Sequence, residues 1–212
     1  MKCYQSILWS PRRFGLLGLI GVLVFLLSLL TLHLMSPGFD GTEKFVSDMA
    51  NEPLGLLFVG GTFVHGWGNL CLALGLRATL SPGPMRKWGV VLYALSALGI
   101  LLAALFAVDA PGQVPTFIGR IHRVAAGGGF LLELAALFVF TAAFGRQQPW
   151  RRYQTVSLVL SVIAAIAVTA FATGVQIDFA KGVLERLVLT AFLAWGILVA
   201  MVLIRETSQH PT

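Results

Sequence analysis

The chain has 212 residues, of which 57% are apolar and only 11% are charged. A soluble domain carries roughly 25% charged residues, so this composition excludes an ordinary water-soluble fold and fits a protein solvated by lipid. The net charge of +6 gives no support to nucleic-acid binding, because no basic stripe interleaves with aromatic residues. Lys and Arg gather instead in short loops, where they set topology and meet anionic headgroups.

Crossing a hydrocarbon core about 30 Å thick takes about 20 mostly apolar residues. Six stretches meet that requirement: 14–35, 53–76, 88–108, 118–144, 156–174 and 183–204. Turn chemistry separates them. Ser36-Pro37-Gly38 follows the first, Ser81-Pro82-Gly83-Pro84 divides the second from the third, and Ala110-Pro111-Gly112 follows the third. Pro53 suits the first turn of a helix, where its missing N–H costs nothing. The first stretch is too long for a signal-peptide core and no small-x-small motif follows it, so it reads as an uncleaved signal anchor. The fold class expected is all-α: a single transmembrane domain over 1–212, built as a six-helix polytopic bundle.

Positive charge orients the spans. Lys2, Arg12, Arg13, Arg77, Arg86, Lys87, Arg146, Arg151, Arg152 and Arg205 fall on one side, and Lys44, Arg120, Arg123, Lys181 and Arg186 on the other. Ten against five makes the first side cytoplasmic, with both termini on it, and the plasma membrane (a bacterial inner membrane) is the expected location. Cys3 and Cys71 then lie where they cannot pair, and Cys3 is open to lipidation.

Ionisable side chains within a bilayer are costly and mark functional candidates. His65 lies twelve residues into the second span and Glu133 about fifteen into the fourth. Both are then roughly 18–22 Å from the outer side, and they form an intramembrane polar pair if their helices touch. His65 shares a face with Gly61, Thr62, Gly68 and Asn69, and Glu133 with His122 and Gly129. Gly127, Gly128 and Gly129 would let another helix approach closely. Ser157, Ser161, Ala165 and Thr169 form a small polar seam on the fifth span. A second group collects near the outer boundary: His33, Ser47, Asp48, Asp109, His122, Arg123, Glu185 and Arg186.

Phe45-Val46-Ser47-Asp48-Met49 in the first outer loop, Asp109 after the third span, Gly119-Arg120-Ile121-His122-Arg123 entering the fourth and Gly182-Val183-Leu184-Glu185-Arg186-Leu187 opening the sixth together carry a resemblance. In that arrangement the chain resembles the six-helix membrane family called domain of unknown function 998, similar in layout to the Frag1/DRAM/Sfk1 proteins. The resemblance covers nearly the whole chain in span order. It implies outer-end positions at Ser47, Asp48, Asp109, His122, Glu185 and Arg186, and it implies no reaction. His65 and Glu133 are not part of that pattern.

Two functions of different class follow. The first is binding: a polar cleft at the outer face holding a lipid headgroup, a small anionic ligand or a protein partner in the membrane, with Asp48, Arg123, Glu185 and Arg186 as ligand-binding residues and the two arginines clamping a phosphate or carboxylate. The alternative is an intramembrane hydrolase or lipid-modifying enzyme. Its catalytic candidates are Ser47 as nucleophile, His122 as base and Asp109 or Asp48 as orienting group, or a metal held by Asp48, Asp109 and His122. Neither a Gly-x-Ser-x-Gly turn nor a His-Glu-x-x-His pair is present, and no motif names a cofactor. A transporter or haem protein is a weaker third reading; for haem, the facing ligands would be His33 and His122.

Overall fold

The computed structural model describes residues 10–206; Cys3 lies outside them. Six helices follow one another: α1 (Pro11–Met35), α2 (Gly55–Thr79), α3 (Pro84–Leu105), α4 (Phe117–Phe144), α5 (Gln154–Gln176) and α6 (Lys181–Glu206). Among the described residues there is no β-strand. All six are long and apolar enough to cross a membrane, so the chain is a multi-pass membrane protein. In hydrocarbon each backbone N–H and C=O must find its partner within the chain, and helices do this by themselves.

Local chemistry sets the helix ends. Ser10 caps α1 by accepting the Arg13 N–H at 3.4 Å, with Pro11 in the first turn. Thr116 caps α4 by accepting the Gly119 N–H at 3.0 Å. Helix α3 starts at Pro84, ahead of the Trp88 that the apolar pattern suggests, because proline is tolerated in a first turn. It ends at Leu105 because Phe106 is already extended, at φ −101° and ψ 121°.

Each helix packs against its chain neighbours, and α6 returns to α1, which closes the ring. Glycines set the closest approaches. A Cβ on Gly21 would lie 2.9 Å from Gly68 Cα, and one on Gly68 would lie 3.0 Å from Gly21 Cα, so α1 and α2 touch backbone to backbone. A Cβ on Gly99 of α3 would lie 2.8 Å from the Ala125 oxygen and 3.2 Å from Gly129 Cα. Of the glycine run in α4 only Gly129 serves this contact; Gly127 and Gly128 face open space. Helix α4 stays continuous through the run, as α2 does through Gly60 and Gly61.

The two ends of the bundle differ. At the end carrying the α2–α3 and α4–α5 turns, Tyr93, Phe140, Phe144, Trp150 and Trp195 are buried together; Phe144 stacks on Trp150 at 4.5 Å and Tyr93 meets Trp195 edge-on at 5.5 Å. Trp195 Nε1 donates to Ser157 Oγ at 2.9 Å, Thr141 and Ser157 share a 2.5 Å bond, and Ser161 Oγ donates to the Ser157 carbonyl. Gln147 ties the two turns, donating to the Thr79 carbonyl at 2.9 Å and accepting the Ser81 N–H at 2.6 Å. Of the α5 seam, Ser157 and Ser161 take part in this plug, whereas Thr169 is exposed and bonds back to the Ala165 carbonyl. The opposite end is not filled in this way.

Gly68→Val is expected to wedge α1 from α2 and cost about 1–3 kcal/mol, read as a lower thermal midpoint of the purified protein. Gly60→Ala, where a Cβ meets nothing within 4 Å, should leave that midpoint unchanged; an equal loss in both variants would disprove the backbone contact.

Candidate functional site

The first connection, residues 36–54, folds over the start of α6. Its carbonyls take up donors that a helix N-terminus leaves unsatisfied. The Thr42 carbonyl accepts the Gly182 and Val183 N–H groups at 2.9 and 3.4 Å. A Cβ at Gly182 would lie 2.3 Å from the Lys44 oxygen and 2.5 Å from the Gly41 oxygen, so only glycine fits there. One turn on, Arg186 Nη1 donates to the carbonyls of Gly41 (2.9 Å), Gly182 (2.8 Å) and Lys44 (3.4 Å). Its Nη2 donates to His33 Nε2 at 3.2 Å, while His33 Nδ1 donates to the Leu29 carbonyl at 2.8 Å. Glu185 accepts the Val46 N–H at 2.5 Å. Asp48 accepts the Phe45 N–H at 2.9 Å and caps the 3₁₀ turn Val46–Asn51. Burial pushes the Asp48 carboxyl above the usual carboxylate range, against the pull of the Phe45 N–H and of Lys44.

The third connection is pinned by the same means. Asp109 accepts the Thr116 hydroxyl at 2.6 Å and the Thr116 N–H at 3.1 Å. These bonds hold its surface carboxyl below the usual range, the hydroxyl contributing most. The carboxylate occupies the space a side chain at Gly119 would need. His122 Nδ1 donates to the carbonyls of Ala103 (2.8 Å) and Phe106 (3.0 Å), two of the orphan acceptors at the end of α3. Those acceptors place the ring proton on Nδ1 and leave Nε2 as an acceptor, and Nε2 has no partner.

Beneath these connections lies a cavity whose non-atom space, open mouth included, is about 640 Å³. Val46, Ser47, His122 and Glu185 form its upper wall, Thr62 and His65 its α2 side among Phe25, Phe58, Phe130 and Phe192, and Glu133 its deep end. Glu133 lies eleven residues below His122 on α4, about 16 Å. The polar members are almost wholly buried: Glu133 is 3% exposed, His122 6%, His65 7%, and Thr62 and Glu185 8% each. Glu133 accepts the Ser96 hydroxyl at 3.1 Å. Thr62 Oγ1 and His65 Nδ1 have no partner, and the His65 ring stacks on Phe25 at 5.2 Å.

Several expectations change on this geometry. His65 and Glu133 share the cavity but no hydrogen bond: α3 stands between their helices, and Glu133 bonds to α3 instead. Arg186 does not present a free cation, since loop carbonyls and His33 occupy its donors. Arg123 is exposed and lies off the cavity wall. Of the four ligand-binding candidates only Glu185 lines the cavity; Asp48 serves the 3₁₀ turn. Asp109 is bonded to Thr116 and not to His122, whose Nδ1 is oriented by backbone carbonyls. Asp48, Asp109 and His122 do not form a metal set, and among the described residues no group of three or more His, Cys, Asp and Glu side chains could hold a metal ion. Both nitrogens of His33 are engaged. Thr62 was read from the sequence only as a neighbour of His65; its unpartnered hydroxyl depends on tertiary packing.

Six spans, connections locked onto helix ends and an amphipathic cavity define a polytopic membrane protein with a recess in one half of its bundle. The chain belongs to the family described as protein of unknown function DUF998, whose model matches residues 19–202. No curated protein and no solved structure matches it.

Arg186→Ala should release the first connection, raising amide exchange across residues 40–46 and lowering stability by about 1.5–3 kcal/mol. Unchanged exchange there would show that the clamp does not hold the loop.

Proposed function

We propose that this protein binds one small amphipathic molecule, a membrane lipid or lipid-like compound, in the cavity of its open half. The observation that carries this reading is a set of buried polar atoms without partners on an otherwise apolar wall: Thr62 Oγ1, His65 Nδ1 and His122 Nε2. Each such atom costs about 1–3 kcal/mol when left unsatisfied. A ligand supplying polar groups at both levels and an apolar middle would offset that cost. Ligand cavities combine apolar walls with a few placed polar groups in this manner. The excess of Lys and Arg beside the α2–α3 and α4–α5 turns puts that face in the cytoplasm. The cavity then opens toward the outer face of the plasma membrane, accessible to lipids of the outer leaflet.

Ala126, on the α4 wall, offers a test. Native mass spectrometry of the purified protein should show a bound small molecule or lipid that Ala126→Phe retains at least about tenfold less, with the thermal midpoint preserved. The same bound species in both proteins would rule out the cavity as the site.

One observation favours catalysis as a second reading. The Ala103 and Phe106 carbonyls orient His122 as a carboxylate orients a catalytic histidine, and its free Nε2 shares the cavity wall with Ser47. A fluorophosphonate probe is then expected to label the wild type and spare both Ser47→Ala and His122→Ala. Absence of labelling in the wild type would eliminate a Ser47 nucleophile.

A further inference from the structure

The cavity is lined by two carboxyl groups and by no Lys or Arg. The carboxyls differ. Glu185 accepts the Val46 N–H and has the Arg186 guanidinium as a chain neighbour. Glu133 has only the Ser96 hydroxyl, and no cationic side chain acts on it. It is 3% exposed and lies well inside a membrane span. A carboxyl withdrawn from water either holds a proton or needs a counter-charge, and no Lys or Arg lines the cavity to supply one.

The surroundings of Glu133 suit a cation from outside. Four phenylalanines line the same space. Phe25 and Phe58 lie tilted at 6.2 Å on one side, and Phe130 and Phe192 lie tilted at 5.9 Å on the other. Aromatic faces attract a desolvated ammonium through the ring quadrupole. Thr62 Oγ1 and His65 Nδ1 stand unpartnered on the α2 wall of the same cavity, nearer its mouth than Glu133. An anionic head entering this space would meet Glu133 and Glu185 with no cation to hold it.

We propose that the cavity takes an organic cation, an amphipathic amine or quaternary ammonium, with its positive group beside Glu133 and its apolar body among Phe25, Phe58, Phe130 and Phe192. This rests on the cavity being a binding site and assigns the chemical class of its occupant. A primary amine adds a hydrogen bond to the Glu133 carboxyl, whereas a quaternary ammonium relies on its charge and the rings.

The test is calorimetric titration of the full chain in lipid nanodiscs with hexyltrimethylammonium, hexanol and hexanoate, each corrected with empty discs. The wild type should bind the ammonium at least about tenfold tighter than hexanol, with hexanoate weakest. Glu133→Gln should reduce that preference to under about twofold while the affinity for hexanol is kept. Phe130→Leu, which keeps an apolar side chain but loses the ring, should weaken the ammonium about two- to fivefold and hexanol less; this variant carries the test if Glu133→Gln does not fold. Equal binding of ammonium and hexanol by the wild type would overturn the cation assignment and leave the cavity as a neutral lipid site. So would a full preference surviving in Glu133→Gln, and hexanoate binding tightest would make the site anionic in preference. If none of the three binds, the binding function falls with the assignment.

Discussion

The cavity end of the bundle depends on one clamp, in which the first connection closes over the start of α6. A helix N-terminus presents donors without partners, and a connecting loop presents carbonyls without partners. Here each supplies what the other lacks. Gly182 allows the loop backbone to approach, Arg186 gathers the Gly41, Gly182 and Lys44 carbonyls, and Glu185 takes the Val46 N–H. The third connection repeats the principle with Asp109, Thr116 and His122. These locks hold the connections across the cavity mouth and keep irregular backbone satisfied at the membrane boundary, where an unpaired polar group is expensive.

Packing divides the bundle into two halves with different work. At the end of the α2–α3 and α4–α5 turns, bulky aromatics from α3, α4 and α6 interlock around Ser157. In the other half, α2 and α4 stay apart, and the volume between them is lined rather than filled. Rigidity in the first half therefore supports a preformed recess in the second, which lowers the ordering cost of binding.

The polar residues likewise fall into two roles. Most of those at the helix ends are consumed by structure: Asp48, Asp109, Glu185 and Arg186 each bond to backbone or to a neighbouring side chain. Buried atoms with capacity left over include Thr62 Oγ1, His65 Nδ1 and His122 Nε2 on the cavity wall, and Asn69 Nδ2, Tyr93 OH and Trp150 Nε1 away from it. His122 belongs to both sets, with one ring nitrogen holding α3 and the other facing no protein partner. Free bonding capacity facing an open cavity, more than any motif, marks where a ligand would be recognised.

The sequence by itself determined the six membrane helices, because apolar runs of spanning length and Pro/Gly breaks act locally and need no tertiary information. It also identified the residues of the clamp, since Gly182, Glu185 and Arg186 stand together in the chain. Their roles were not legible. Arg186 in isolation is a cation suited to an anionic ligand, and only the fold brings it within 2.9 Å of the Gly41 carbonyl, 145 residues away. Counting residues from the expected span ends put His65 and Glu133 at one depth, but the helices start at Gly55 and Phe117, which leaves Glu133 the deeper; whether they bonded to each other depended on whether α2 touched α4. The tertiary structure placed α3 between them and gave Glu133 to Ser96. Periodicity reports which face of a helix is buried, but not which helix covers it; that is decided by close glycine contacts and bulky aromatics acting together. For this reason the cavity, and the carboxyl left without a counter-charge inside it, emerged only from the folded bundle.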